Sequence, residues 1–390
     1  MVLALVCFGL VMVFSTSSAT ALLNDGDPLG LAIRQAAYAL VGLGAYAVMV
    51  RMQPETMRHL GPVALGISVF LLLLVLVPSF GSSANGSRRW IALGGLGNLQ
   101  PSELAKVALA LWMAQAVVRA PGRLRTPAGL APFLGVTGVL ALLILIEPDM
   151  GTAVSLCAVA FAMLIVAGAR MRHLGALVGV CLMLATIAML AEPYRRERFF
   201  TFLDPWADPN GAGFQSVQAQ VAIGSGGLHG VGLGDGVQKA FYLPEAHTDM
   251  ILATVGEELG VIGVLGVLVA FGLFALAGYR IAIGARDLHQ QVLAAGLTTL
   301  VVMQAFINIG AVVGVLPVTG VPLPFVSFGG SSLIILLAAS GLLVNIGRRS
   351  SSRAIPSAVP ARQGDDRGRR DGRPRDAGSG GRRRAAGAGG

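Results

Sequence analysis

Residues 251–279 read ILATVGEELGVIGVLGVLVAFGLFALAGY, and after Glu257 and Glu258 no charged residue returns before Arg280. A helix rises 1.5 Å per residue, so about 20 apolar residues cross the roughly 30 Å hydrocarbon core of a bilayer. This stretch is long enough, and beyond Glu258 it has no charged face to offer water. Similar runs fall near residues 2–22, 33–50, 60–80, 104–119, 130–146, 152–169, 174–191, 291–315 and 328–347. The pattern predicts an all-α, polytopic membrane protein of about ten transmembrane helices. Of the 390 residues 54% are hydrophobic and 13% charged, whereas a soluble domain carries roughly 25% charged residues. Only a chain that faces lipid can manage with so little polar surface. The first run lacks a basic leader, and apolar runs continue to Ile346, so a retained first span is expected rather than a signal peptide.

The net charge of +9 is unevenly placed: from Arg348 to Gly390 there are twelve arginines and four aspartates. The basicity therefore belongs to a low-complexity segment and not to a groove that could track phosphates, which argues against a nucleic-acid partner. Residues 1–347 are expected to form the membrane domain. Residues 348–390 are expected to form a disordered, arginine-rich cytoplasmic tail, too polar to bury a core but able to approach anionic lipid. Cys7, Cys157 and Cys181 lie inside apolar runs without metal-ligand spacing and read as small buried hydrophobes.

Arginines set the orientation. With a cytoplasmic N-terminus, the inner loops hold Arg51 and Arg58, Arg119, Arg123 and Arg125, Arg170 and Arg172, and Arg280 and Arg286, while the outer turn at 147–151 holds Glu147 and Asp149. The positive-inside rule fits this arrangement and not its inverse, so both termini are expected in the cytoplasm. Two outer segments are long. One is 81–103; the other, 192–250, is a large extracytoplasmic loop between the seventh and eighth helices. Loops of that length are usually functional or disordered. Arg195, Arg196 and Arg198 in the second break the charge bias.

Three clusters at the outer side carry candidate chemistry. In the first, Arg88-Arg89-Trp90 precedes Gln100-Pro101-Ser102-Glu103 and Lys106. Pro101 suits a helix start, and Glu103 and Lys106 share a helical face. Charges entering a membrane are paired or line a wet cavity, so this pair is either a structural lock between helices or part of a polar cavity. The second, Pro244-Glu245-Ala246-His247-Thr248-Asp249, runs into the 251–279 span. Asp249 there is a helix cap or a general base whose proton affinity is raised by partial burial, and His247 reads as a structural hydrogen-bonder. The third joins Leu316–Phe325, rich in proline, to Ser327-Phe328-Gly329-Gly330-Ser331-Ser332. Such non-helical backbone at membrane depth must be buried in protein or line a cavity.

With Glu147-Pro148-Asp149-Met150-Gly151-Thr152, these motifs resemble the SEDS family (shape, elongation, division and sporulation proteins), in order and spacing over roughly residues 2–347. The resemblance implies a ten-helix enzyme of the bacterial inner membrane that polymerises lipid II into glycan strands on the outer face, as an inverting peptidoglycan glycosyltransferase. It places Asp249 at the family's conserved aspartate. Pro-Glu-Ala-His-Thr-Asp with Gly256-Glu257-Glu258-Leu259-Gly260 is more similar to the division branch, FtsW, than to the elongation branch, RodA. Met250 and Phe328 stand where phenylalanine and tyrosine are common. The resemblance further implies a single-span class B penicillin-binding transpeptidase as partner, other division proteins around it, and a place at the division site.

On this reading Asp249 is catalytic. Arg88, Arg89, Glu103, Lys106, Asp149, His247 and Ser331 are substrate-binding candidates, with Arg88, Arg89 and Lys106 holding pyrophosphate. Arg195, Arg196 and Arg198 are an alternative cation group. A divalent cation, Mg or Mn, would bridge pyrophosphate to a carboxylate such as Asp249 or Asp149, although no ligand spacing marks a metal site. The competing functions are a lipid II flippase, an elongation polymerase of the RodA type and a structural scaffold. A flippase would need polar groups through the full depth of the bundle, whereas here they gather at the outer half.

Overall fold

In a computed structural model, residues 1–23, 27, 29–84, 87–92, 94, 97–119, 122–191 and 193–351 are described. The sequence-predicted spans appear as α1 (Val2–Leu23), α2 (Gly30–Arg51), α3 (Pro54–Leu76), α4 (Pro101–Arg119), α5 (Pro127–Ile146), α6 (Met150–Val166) and α7 (Met171–Ala191). The large loop contributes α8 (Pro193–Leu203), α9 (Phe214–Gly226) and α10 (Gln238–Phe241), and the last spans are α11 (Ile251–Gly284), α12 (Leu288–Val312) and α13 (Gly330–Ser351). The arginine-rich tail lies outside the described residues, and α13 continues past the expected boundary at 347 to Ser351.

Small residues let the central helix be surrounded. The sequence of α12 is rich in Ala and Gly, and it packs on α4, α6, α11 and α13. Its apolar window is 78% buried, against 17% for that of α2. Leucine, valine, isoleucine and phenylalanine cover the outside; Leu40, Phe70 and Ile283 are all exposed. An apolar belt of that kind would aggregate in water but matches hydrocarbon. Cys7 faces outward and Cys157 is half-buried, which corrects the expectation that these two are core residues; the side chain of Cys181 lies outside the described residues. A helix side with no packing neighbour is apolar in lipid too, so residue type alone does not report burial there.

Residues 81–99 are more than a loop. They form a three-stranded antiparallel sheet of β1 (Gly81–Ala84), β2 (Ser87–Ala92) and β3 (Asn98–Leu99). The register passes from Ser82 opposite Trp90 to Ser83 opposite Arg88, so Arg89 is left as a bulge.

The other departure from regular structure is in α11. Gly260 has φ 68° and breaks the helix into two, and the backbone groups freed there are satisfied by the large loop. Val231 N and Gly232 N donate to Glu257 O (3.0 Å) and Glu258 O (3.1 Å), while Val261 N donates to Gly227 O at 2.9 Å. A side chain at Gly260 would meet Gly230 N and Leu228 O at 2.5 Å. The glycine is required by both its dihedral and this contact. Beside the break, Lys239 and Glu258 form a wholly buried ion pair, and Ser15 of α1 hydrogen-bonds to both. The loop is thereby fastened into the membrane bundle.

Candidate active site

The loops that carry the three clusters meet at one end of the bundle. The opposite end is marked by the Arg58–Asp287 pair and by Arg349, which donates to the carbonyl of Met52.

The bulge in β2 decides where Arg89 goes. Bulges re-aim side chains, and here the guanidinium reaches the turn between α5 and α6. Nε donates to Glu147 O at 3.1 Å and Nη2 to Pro148 O. Arg88, the neighbouring strand residue, is exposed. Asp249 closes the turn before α11 and is 9% exposed. Its carbonyl accepts from Asn308 Nδ2 at 2.7 Å, and its Oδ1 accepts from Thr248 Oγ1 at 3.4 Å. The two groups converge across Gly320: a Cβ built there would lie 3.8 Å from Arg89 Nη1 and 3.9 Å from Asp249 Oδ2. Gly320 has φ 72°, a conformation that disfavours side chains. The glycine therefore keeps open the space between a fixed cation and a carboxylate.

Several candidates have other work. Lys106 and Glu103 are 0% and 1% exposed and paired at 2.8 Å. Lys106 Nζ also donates to Gln304 Oε1 at 3.0 Å, and Glu103 Oε2 accepts from Ser332 Oγ at 3.2 Å. These contacts are those of the structural-lock alternative, and almost no surface of either side chain is presented. Asp149 is 2% exposed and caps α6, accepting from Thr152 N; its other oxygen accepts from Gln100 Nε2, each at 3.1 Å. Both of its oxygens are thus engaged by protein donors, and Asp149 orients Gln100. Ser331 accepts from Gln100 N at 3.2 Å. His247 packs its ring edge-on to Phe328, and its carbonyl accepts Phe328 N at 2.8 Å. Burial lowers its pKa, against an opposing pull from Glu245, so the imidazole is neutral near pH 7. Arg196 is exposed on α8; Arg89 is the arginine that faces Asp249 across Gly320.

Two kinds of residue escaped the sequence reading. Glu147, in the turn outside the spans, is 1% exposed with neither carboxyl oxygen hydrogen-bonded. Burial pushes its pKa up to about 8, Asp149 adds to the rise, and Arg89 opposes it. Gln304 and Asn308 hold the site from behind. Their signal was visible as two amides four residues apart in an apolar helix, where polar side chains face the bundle interior. No group of three or more His, Cys, Asp or Glu side chains suited to a metal occurs among the described residues.

Comparison with known proteins agrees with this architecture. Residues 1–352 match the cell cycle protein family of FtsW, RodA and SpoVE. The chain is 43% identical over 351 residues to the probable peptidoglycan glycosyltransferase FtsW of Geobacter metallireducens, covering 90% of this chain and 93% of that one. It is 40% identical over 349 residues to stage V sporulation protein E of Bacillus subtilis, covering 89% and 95%. A solved structure concerned with the coordination of polymerization and crosslinking by a peptidoglycan synthase complex is similar with a TM-score of 0.72, at 32% identity over 88% of this chain and 97% of that one. The rod shape determining protein RodA of Thermus thermophilus is similar with a TM-score of 0.64, at 29% identity over 90% and 95%. Matched along almost the whole of its membrane-spanning part, the chain belongs to the FtsW/RodA/SpoVE family.

Proposed function

We propose that this protein is a peptidoglycan glycosyltransferase that polymerises lipid II on the outer face of the bacterial inner membrane during division. The observation that carries the mechanism is the approach of Arg89 and Asp249 to the open space at Gly320. The acceptor sugar's 4-hydroxyl attacks the donor's anomeric carbon while Asp249 takes its proton, an assistance worth about 10²–10⁴-fold in rate. The bond from that carbon to the diphosphate breaks, and its electron pair leaves on the diphosphate oxygen. Arg89, held in place by two backbone carbonyls, stabilises that charge without reorganising, and exposed Arg88 extends the cationic surface. Displacement from the opposite face inverts α to β. A divalent cation between Asp249 and the diphosphate would add Lewis-acid stabilisation.

The inner-loop arginines lie at the end of the bundle away from Asp249, which supports cytoplasmic termini and an outward-facing site. The 43% identity to a protein named FtsW favours the division role. A matched structure that couples polymerization to crosslinking supports a penicillin-binding transpeptidase as partner.

Purified protein supplied with lipid II and such a partner should build glycan strands, and Asp249→Ala should abolish them while the protein still inserts and folds. Wild-type polymer from that variant would reject the base assignment. Headgroup movement across vesicles without any polymer would support a flippase instead.

A further inference from the structure

The α12 helix turns two amide side chains, one helical turn apart, toward the backbone that frames the site. Asn308 is 2% exposed and uses both amide hydrogens, one on Asp249 O at 2.7 Å and one on Val321 O at 2.8 Å. Gln304 is wholly buried; its Nε2 donates to Pro322 O at 3.2 Å and its Oε1 accepts from Lys106 Nζ at 3.0 Å. Behind them stands the Glu103–Lys106 pair at 2.8 Å. A continuous set of hydrogen bonds thus ties the backbone at Asp249, and the backbone directly after Gly320, to α12, whose apolar window is 78% buried.

A polar side chain in a membrane-buried helix is costly unless it is satisfied, and a buried carbonyl left without a donor is costly as well. One amide that bonds two chain segments far apart in sequence fixes their separation. These segments carry the general base and the glycine across which the base faces Arg89. We propose that Asn308 is a positioning residue for glycosyl transfer, setting the placement of Asp249 against Arg89, with Gln304 holding the same loop one turn deeper. Both side chains are enclosed, so they act through the backbone and not on substrate directly. The inference rests on the reading of Asp249 as the base.

Replacing Asn308 by leucine keeps the branching and the number of heavy atoms and removes both donors. Misplacing a reacting group by about 1 Å costs on the order of 10²-fold in rate. Asn308→Leu should therefore lower kcat by about 10–100-fold and leave KM for lipid II within about twofold, because the diphosphate still meets Arg89. Asn308→Ser retains one donor and should recover part of the lost kcat. The measurement is glycan polymerisation at several lipid II concentrations, normalised to the fraction of protein that elutes monodisperse and melts cooperatively. If Asn308→Leu does not accumulate, Asn308→Ser is judged by the same split between kcat and KM. An unchanged kcat per folded molecule, or a loss that only follows the folded fraction, overturns the proposal. Asp249→Asn separates the two readings: if it is inactive while Asn308→Leu is not, positioning alone fails, and if it is fully active, the base assignment fails.

Discussion

Replacing Gly320 by alanine separates the stability of the site from its chemistry. The new Cβ would sit 3.8 Å from Arg89 Nη1 and 3.9 Å from Asp249 Oδ2. Those are ordinary van der Waals separations, so the methyl fits the empty protein without a clash. Two effects follow. The backbone at φ 72° is left-handed, which costs an L-residue about 1–2 kcal/mol, a tolerable loss of stability. On the proposed mechanism the methyl also occupies the space between Asp249 and Arg89 in which the reacting sugar lies. Displacing the sugar by about 1 Å lowers the rate on the order of 10²-fold. Gly94 supplies the control: its φ is 61° and a Cβ there meets nothing within 4 Å. Gly94→Ala should carry a similar backbone cost with unchanged polymerisation. The assay is glycan strand synthesis from lipid II by each variant, with thermal unfolding in the same detergent. If Gly320→Ala and Gly94→Ala lose the same small stability and both polymerise at the wild-type rate, the space at Gly320 is not where the reaction occurs.

Glu147 predicts a pH effect on stability. Its pKa is raised from 4.5 to about 8 in the folded protein, so the stability it contributes is fully present below about 4.5 and lost as pH rises through 8. Melting temperatures from pH 5 to 9 should fall more steeply for wild type than for Glu147→Gln; equal slopes would refute the buried neutral carboxyl. The Lys239–Glu258 pair offers a test of the loop's attachment. Lys239→Met leaves Glu258 buried beside Ser15 and should cost about 3–5 kcal/mol, read as a lower midpoint of thermal unfolding. Lys239→Met combined with Glu258→Leu should regain much of that loss.

The ten spans were legible because length and apolarity together admit few alternatives, as in 251–279. Asp249 was legible as a carboxylate at the mouth of such a span. The sheet was not, since its strands have four, six and two residues and are set in Gly and Ser, which favour turns. Lys106 was legible only in part: spacing of three places it on the face of Glu103 but does not say whether that face meets a cavity or Gln304. The break at Gly260 was hidden among 53 glycines, because only the approach of residues 228–230 distinguishes it. Asn308 carries no charge to mark it among apolar residues, although in hydrocarbon the cost of an unpaired amide is of the same kind.

Only two lysines occur in the chain, Lys106 and Lys239, and each is enclosed and bound to a glutamate. Neither side-chain amine of the folded protein is therefore open to acylating reagents. Modification at either position requires that the helices come apart or that the outer loop lift from α1 and α11, so amine chemistry followed by peptide mapping would time those two openings separately.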